Sequence, residues 1–107
     1  MTYLINTVQN LALDENEINP SKPLVFGTNG ACIGICLYTS VEFGPLGDHD
    51  DQEGFVIVEG AGQVYLDGEI LNVKKDMSLI IAPHVKHSFR RNADSKALKV
   101  FWFHAAV

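Results

Sequence analysis

Short β-branched and apolar runs, each closed within a few residues by Gly, Pro, Asn or Asp, recur along this chain, and no window of a dozen residues carries a helical period. The runs span residues 24–26, 31–43, 54–59, 63–66, 69–73, 78–82, 87–91 and 98–104. Asp67-Gly68, set between Val64-Tyr65-Leu66 and Ile70-Leu71, is a strong two-residue hairpin signal. Glu59-Gly60-Ala61-Gly62 separates two further runs and reads as a second hairpin turn; no helix follows it, so it is not a phosphate cradle. Leu79-Ile80-Ile81 stops short of Pro83, which cannot donate to a central ladder. Val100-Phe101-Trp102-Phe103 is apolar on both faces, as a central strand would be. The polar residues 14–23 carry two prolines and read as a loop between two early strands. Evenly spaced short strands predict an all-β sandwich or barrel, and closure would remove sheet edges prone to aggregation.

With 107 residues the chain predicts one domain, residues 1–107, around one core. A core this small leaves much apolar surface uncovered, so a homodimer is expected. The net charge is −5, and the basic residues cluster no further than Lys74-Lys75 and Arg90-Arg91. That excludes a phosphate-backbone partner: no nucleic acid and no anionic membrane is expected. No stretch approaches the ~20 apolar residues of a membrane helix, and the first 13 residues lack the pattern of a secretory leader. The expected location is cytoplasmic. Cys32 and Cys36 lie four apart, about 13 Å along a strand, too far for a disulfide. They read as small buried thiols.

The chemistry concentrates in Gly47-Asp48-His49-Asp50-Asp51-Gln52-Glu53-Gly54. On one straight strand His49 and Glu53 would stand too far apart to share an ion. Gly54 and Val56-Ile57-Val58 argue against a helix. If His49 ends one strand, residues 50–52 bend back, and Glu53 opens the next, the two side chains converge. His87, on a later strand, could supply a third ligand from across the barrel, the competing reading for any one of these histidines being a solvated side chain. Two imidazoles and one carboxylate suit a divalent transition metal (Fe, Mn, Ni or Zn) and leave positions open for water or substrate. Asp48, Asp50 and Asp51 lack the spacing of a calcium loop and read as a solvated mouth.

This pattern resembles the cupin superfamily, whose barrels carry two histidine-containing motifs. His49 matches the second histidine of the first motif, Glu53 follows after three residues, and Gly60 follows Glu53 after six. The run from Glu53 to Gly60 is similar to that family's E-x-x-Y-V-L-E-G strand. His87 falls on the histidine of the second motif, within Ala82-Pro83-His84-Val85-Lys86-His87. The resemblance covers residues 41–91 and implies a double-stranded β-helix (jelly-roll) barrel with His49, Glu53 and His87 on a metal. The departures are specific. Gly47 stands where the family's leading histidine would be, and Val41 at its opening glycine. In the second motif Asp76, Ala82, His84 and Arg91 replace Gly, Pro, Gly and Asn. One ligand is therefore missing. Asp48, on the alternate face, points away, and Gly47→His is expected to restore the ligand and strengthen metal binding.

If Glu53 and His87 face inward, alternation carries Phe55, Ile57, Val85 and Phe89 inward with them. With Trp102 they form the expected binding wall of a small-molecule site. Trp102 and His104 share one face of the last strand and Phe101 and Phe103 the other, with either face open to be the interior. His84 is expected at a solvated turn, and His104 at a rim or an interface. Two functions lead, with a purely structural dimerising domain as a third. One is a metal-dependent enzyme of oxygenase, isomerase or lyase type acting on a small metabolite, with Glu53 a candidate acid–base group. The other is a non-catalytic module that binds or senses a small molecule without a full metal site.

Overall fold

The computed structural model describes residues 12–107. Eight strands appear in it: β1 (Ser21–Phe26), β2 (Cys32–Tyr38), β3 (Gln52–Glu59), β4 (Ala61–Leu66), β5 (Glu69–Lys74), β6 (Ser78–Ile81), β7 (His87–Arg91) and β8 (Leu98–Ala105). Among the described residues there is no helix. One sheet has the order β1-β2-β8-β3-β6 and the other the order β5-β4-β7, and every pairing is antiparallel. The non-sequential neighbours mark a jelly-roll: β3 is flanked by β8 and β6, not by β4.

That order corrects one expectation. Glu59 and Ala61 end and begin strands in different sheets, so the Gly60 connection is a corner between layers and not a hairpin. Asp67-Gly68 is the hairpin turn foreseen, with φ of 46° and 95° at its two central residues; both positions need positive φ, as a tight two-residue turn demands. The loop at residues 14–23 is shorter than expected, because β1 already starts at Ser21 and takes in Pro23. A proline is tolerated there because β1 is the sheet edge, and the ladder shifts register between Pro23 and Val25. The earlier of the two strands that were to flank that loop lies outside the described residues. The run at 31–43 is strand only to Tyr38. Beyond it, the Asn19 side chain accepts from the amides of Thr39 and Ser40 at 3.0 and 3.3 Å and draws the chain into a loop.

Strand alternation builds the core. Phe55, Ile57, Val64, Val73, Ile81, Phe89, Leu98 and Val100 are each at most 5% exposed and form one cluster between the sheets, with Val85 and Trp102 packed against it. Phe55 meets Phe89 edge-on, ring centres 4.9 Å apart. Each such side chain contributes about 1.5–3 kcal/mol by leaving water. Inward, β8 presents Leu98, Val100, Trp102 and His104; outward it presents Phe103, which is exposed. The interior face is thereby settled. The parity that buries Trp102 also carries His104 into the barrel mouth.

Both cysteines are free. Burial pushes the Cys36 thiol up to about 11, so it stays protonated and inert at neutral pH.

Candidate functional site

At the mouth, β3 and β8 run antiparallel with Glu53 opposite His104 and Phe55 opposite Trp102. Glu53 is the second residue of β3, so its carboxylate sits just above the apolar layer, 7% exposed. His87 opens β7 in the facing sheet and is 9% exposed. His49 stands on a loop, not at a strand end. A single bridge between Gly47 and His87 holds that loop: the Gly47 amide donates to the His87 carbonyl at 2.8 Å, and the His87 amide donates back at 3.2 Å. The bend at Asp50 and Asp51 then returns the chain to Glu53, as the spacing predicted.

The three side chains singled out in the sequence come together. The Nε2 atoms of His49 and His87 lie 2.9 and 3.1 Å from Oε1 of Glu53. Ligand atoms of His49, Glu53 and His87 lie within 4.8 Å of one another. A fourth group joins them: Nε2 of His104 lies 3.1 Å from Oε2 of Glu53. Sequence reasoning left His104 at a rim or interface. Its only signal was shared parity with Trp102, and that signal becomes decisive only once the β3–β8 register is known.

The other ring nitrogen of each histidine is tied to an acceptor. Nδ1 of His87 lies 2.8 Å from the Val85 carbonyl oxygen. Nδ1 of His49 lies 2.7 Å from Oδ1 of Asp51, and Nδ1 of His104 lies 3.1 Å from Oδ2 of the same residue. Burial acts most strongly on Asp51 and upward, but its hydrogen bond to His104 and the charges of His104 and His49 outweigh burial and hold its carboxyl below the usual range. An ionised carboxylate and a carbonyl only accept, so all three Nδ1 atoms carry hydrogen. With Nδ1 carrying hydrogen, each Nε2 donates to the Glu53 carboxylate only when its ring holds a second proton, and a shared cation can take that proton's place. Separations near 3 Å also suit neighbouring ligands on an ion with bonds of about 2.1 Å. The donor set fits a divalent metal.

Gly47 proves to be more than a missing ligand. A Cβ there would lie 2.8 Å from both Cε1 and Nε2 of His87. The His87 ring stands in the space a residue-47 side chain would enter, so a histidine at 47 adds a ligand only if the His87 ring shifts. Asp48 turns away as foreseen, with Oδ1 3.0 Å from Nδ1 of His84, and both side chains are exposed. His84 (φ 65°) and Asp76 (φ 76°) occupy the two second-motif positions where the family carries glycine, and both keep a left-handed backbone. Asp and His are among the residues that tolerate it. The motif has lost its glycines and kept their conformation.

The ring of Phe55 stands 5.9 Å from that of His87, and Trp102 stands 5.5 Å from His104. Ile57 and Phe89 lie deeper, in the core cluster. A shallow, open surface depression beside His49 is lined by Asn29, Gly30, Asp50, Asp51, Ala106 and Val107.

A family profile described as the cupin domain matches residues 40–104, more than half of the chain. The chain is a cupin. Its sequence is 30% identical over 101 residues to "Polyketide synthase CurC" of Streptomyces cyaneus, covering 83% of this chain and 66% of that protein, so it spans just under two thirds of the relative's length. Among solved structures it is similar to an RmlC-like cupin family protein with a double-stranded β-helix fold from Methanocaldococcus jannaschii, at TM-score 0.74 and 20% identity over 99% of this chain and 93% of that one. It is also similar to a variant of salicylate 1,2-dioxygenase from Pseudoaminobacter salicylatoxidans, at TM-score 0.69 and 17% identity over 80% of this cupin and 26% of that chain. These structural likenesses establish the double-stranded β-helix and nothing finer. The cluster of histidines and carboxylates makes metal binding by this cupin plausible chemistry.

Proposed function

We propose that this cupin binds one divalent transition metal (Fe, Mn, Ni or Zn) through His49, Glu53 and His87 and acts on a small oxygen-bearing metabolite at the barrel mouth. The observation that carries this reading is the convergence of the His49 and His87 Nε2 atoms on one buried carboxylate, each ring fixed at its far nitrogen by Asp51 or the Val85 carbonyl. A bound ion would supply Lewis acidity toward a carbonyl, carboxylate or hydroxyl of the substrate. The chain's own groups do the rest. Phe55 and Trp102 flank the imidazoles and offer an apolar wall, backed by Ile57, Val85 and Phe89. Without an ion, Glu53 would instead hold or pass a proton between the imidazoles around it. The likeness to a polyketide synthase and a salicylate dioxygenase directs the substrate search to aromatic or polyketide-like hydroxy acids.

Elemental analysis of protein purified without chelator tests the reading. About one equivalent of one transition metal is expected, or one equivalent taken up on addition. Less than a few tenths, with no uptake, overturns it.

A second reading, a non-catalytic binding or sensing cupin, is favoured by how full the barrel is: Ile57, Val64 and Phe89 beneath the site are at most 1% exposed. A ligand then sits at the mouth and is not consumed, and a thermal-shift screen that finds a stabilising compound recovered intact supports it.

The same proposal includes a homodimer, and a cytoplasmic setting consistent with two free thiols. No nucleic-acid or membrane partner is proposed. No helix among the described residues is long and apolar enough to cross a membrane.

A further inference from the structure

We infer that His104, from the last strand, replaces the ligand this chain lacks at Gly47, and that Asp51 is the positioning residue that clamps His104 and His49 together toward the ion. The inference rests on the metal reading above. Four observations carry it. The β3–β8 register sets His104 directly opposite Glu53, so its place is fixed by the ladder and not by a flexible loop. Its Nε2 reaches Oε2, the carboxylate oxygen that His49 and His87 leave unused. The Asp51 carboxylate takes Nδ1 of both His49 and His104, at 2.7 and 3.1 Å, which fixes both rings in one tautomer. The space a side chain at residue 47 would enter is filled by the His87 ring.

The exchange is therefore coupled. Loss of a side chain at 47 lets His87 lie against bare backbone, and the third imidazole arrives from the opposite side of Glu53. The rings of His49 and His104 are centred 4.8 Å apart, and those of His49 and His87 5.0 Å apart, so His49 stands between the two. The groups whose ligand atoms all lie within 4.8 Å of one another are His49-Glu53-His87 and His49-Asp51-His104, so His49 is common to both and His104 has to close toward His87 when an ion binds. Here Asp51 is assigned to the outer role, because its contacts are to Nδ1 atoms while every Nε2 faces Glu53. A carboxylate that orients ligating histidines in this way is worth about 10- to 100-fold in metal affinity.

The test uses the full chain, stripped with chelator and titrated with Co(II). Stoichiometry, affinity by chelator competition and the visible absorption spectrum are the readouts. The wild-type protein should bind one Co(II). His104→Ala should bind at least about 10-fold more weakly, with a shifted and altered visible band from the lost nitrogen donor. His104→Gln keeps a polar group toward Asp51 and should show the same spectral change, which guards against a folding defect in the alanine variant. Asp51→Asn should weaken binding about 10- to 100-fold with the wild-type band shape kept. His84→Ala, outside the cluster, should match wild type. If wild type binds Co(II) and both His104 variants match it in affinity and spectrum, the inference fails and the metal reading stands. If wild type binds none, both fail. Two ions per chain, one of them lost in Asp51→Asn, would make Asp51 a ligand and overturn its assignment as a clamp.

Discussion

His87 shows how one side chain feels opposing forces. Burial acts most strongly on it and downward, yet its hydrogen bonds to Glu53 and to the Val85 carbonyl, with the charges of Glu53 and Asp48, together hold its pKa above the ordinary imidazole value. A group raised on folding stabilises the fold fully below its unfolded pKa, about 6.5, and loses that contribution as pH climbs through the folded value. The chelated protein should therefore lose melting temperature from this source as pH rises from about 6 to 8, and His87→Gln should flatten the dependence. A wild-type profile that rises over that window would contradict it. Metal affinity should move the other way, because the ion displaces the proton. Asp76 and His84 give a second residue-scale expectation. Each holds a left-handed backbone without being glycine, a conformation that costs an L-residue about 1–2 kcal/mol. His84→Gly and Asp76→Gly should each stabilise the fold by up to about 1 kcal/mol in urea melts, since the gain is reduced by glycine's freer unfolded chain.

At the scale of elements, the strands were largely legible because alternation and turn residues are local signals. Asp67-Gly68 specified a hairpin, and residues 54–59 a strand, from their residues alone. Pairing between distant strands was not legible. Nothing local says that β3 and β4 part company at Gly60, or that β8 inserts between β2 and β3. The site followed the same division. His49 and Glu53 are joined by a short bend and could be read together, and His87 was reached by motif. His104 depended on a register between residues 51 positions apart. The element that most depends on packing is β7, whose Phe89 is 1% exposed and meets both Phe55 and Tyr38. Phe89→Ala should cost about 3–5 kcal/mol. A loss below about 1 kcal/mol would mean that the cavity closes over, contrary to a close-packed core.

Across the whole molecule, the outer face of the five-stranded sheet is apolar. Ile33 pairs with Phe103, Phe103 with Gly54, and Gly54 with Ile80, a row across four strands in which the three large side chains are 38–59% exposed. Contiguous apolar surface of this kind marks an interface, and a second copy of the chain is the proposed occupant. Sedimentation should give a dimer for wild type and a monomer for Phe103→Lys, and a monomeric wild type would refute this. The ligand cluster straddles the two layers: Glu53 and His104 belong to the five-stranded sheet, and His87 to the three-stranded one. A cation shared among them would rivet the layers at their open end, where the apolar core no longer reaches. Breathing of the sandwich and occupancy of the site would then be one equilibrium. Loading should slow amide exchange on both sides of the seam at once, and prying the sheets apart should release the ion.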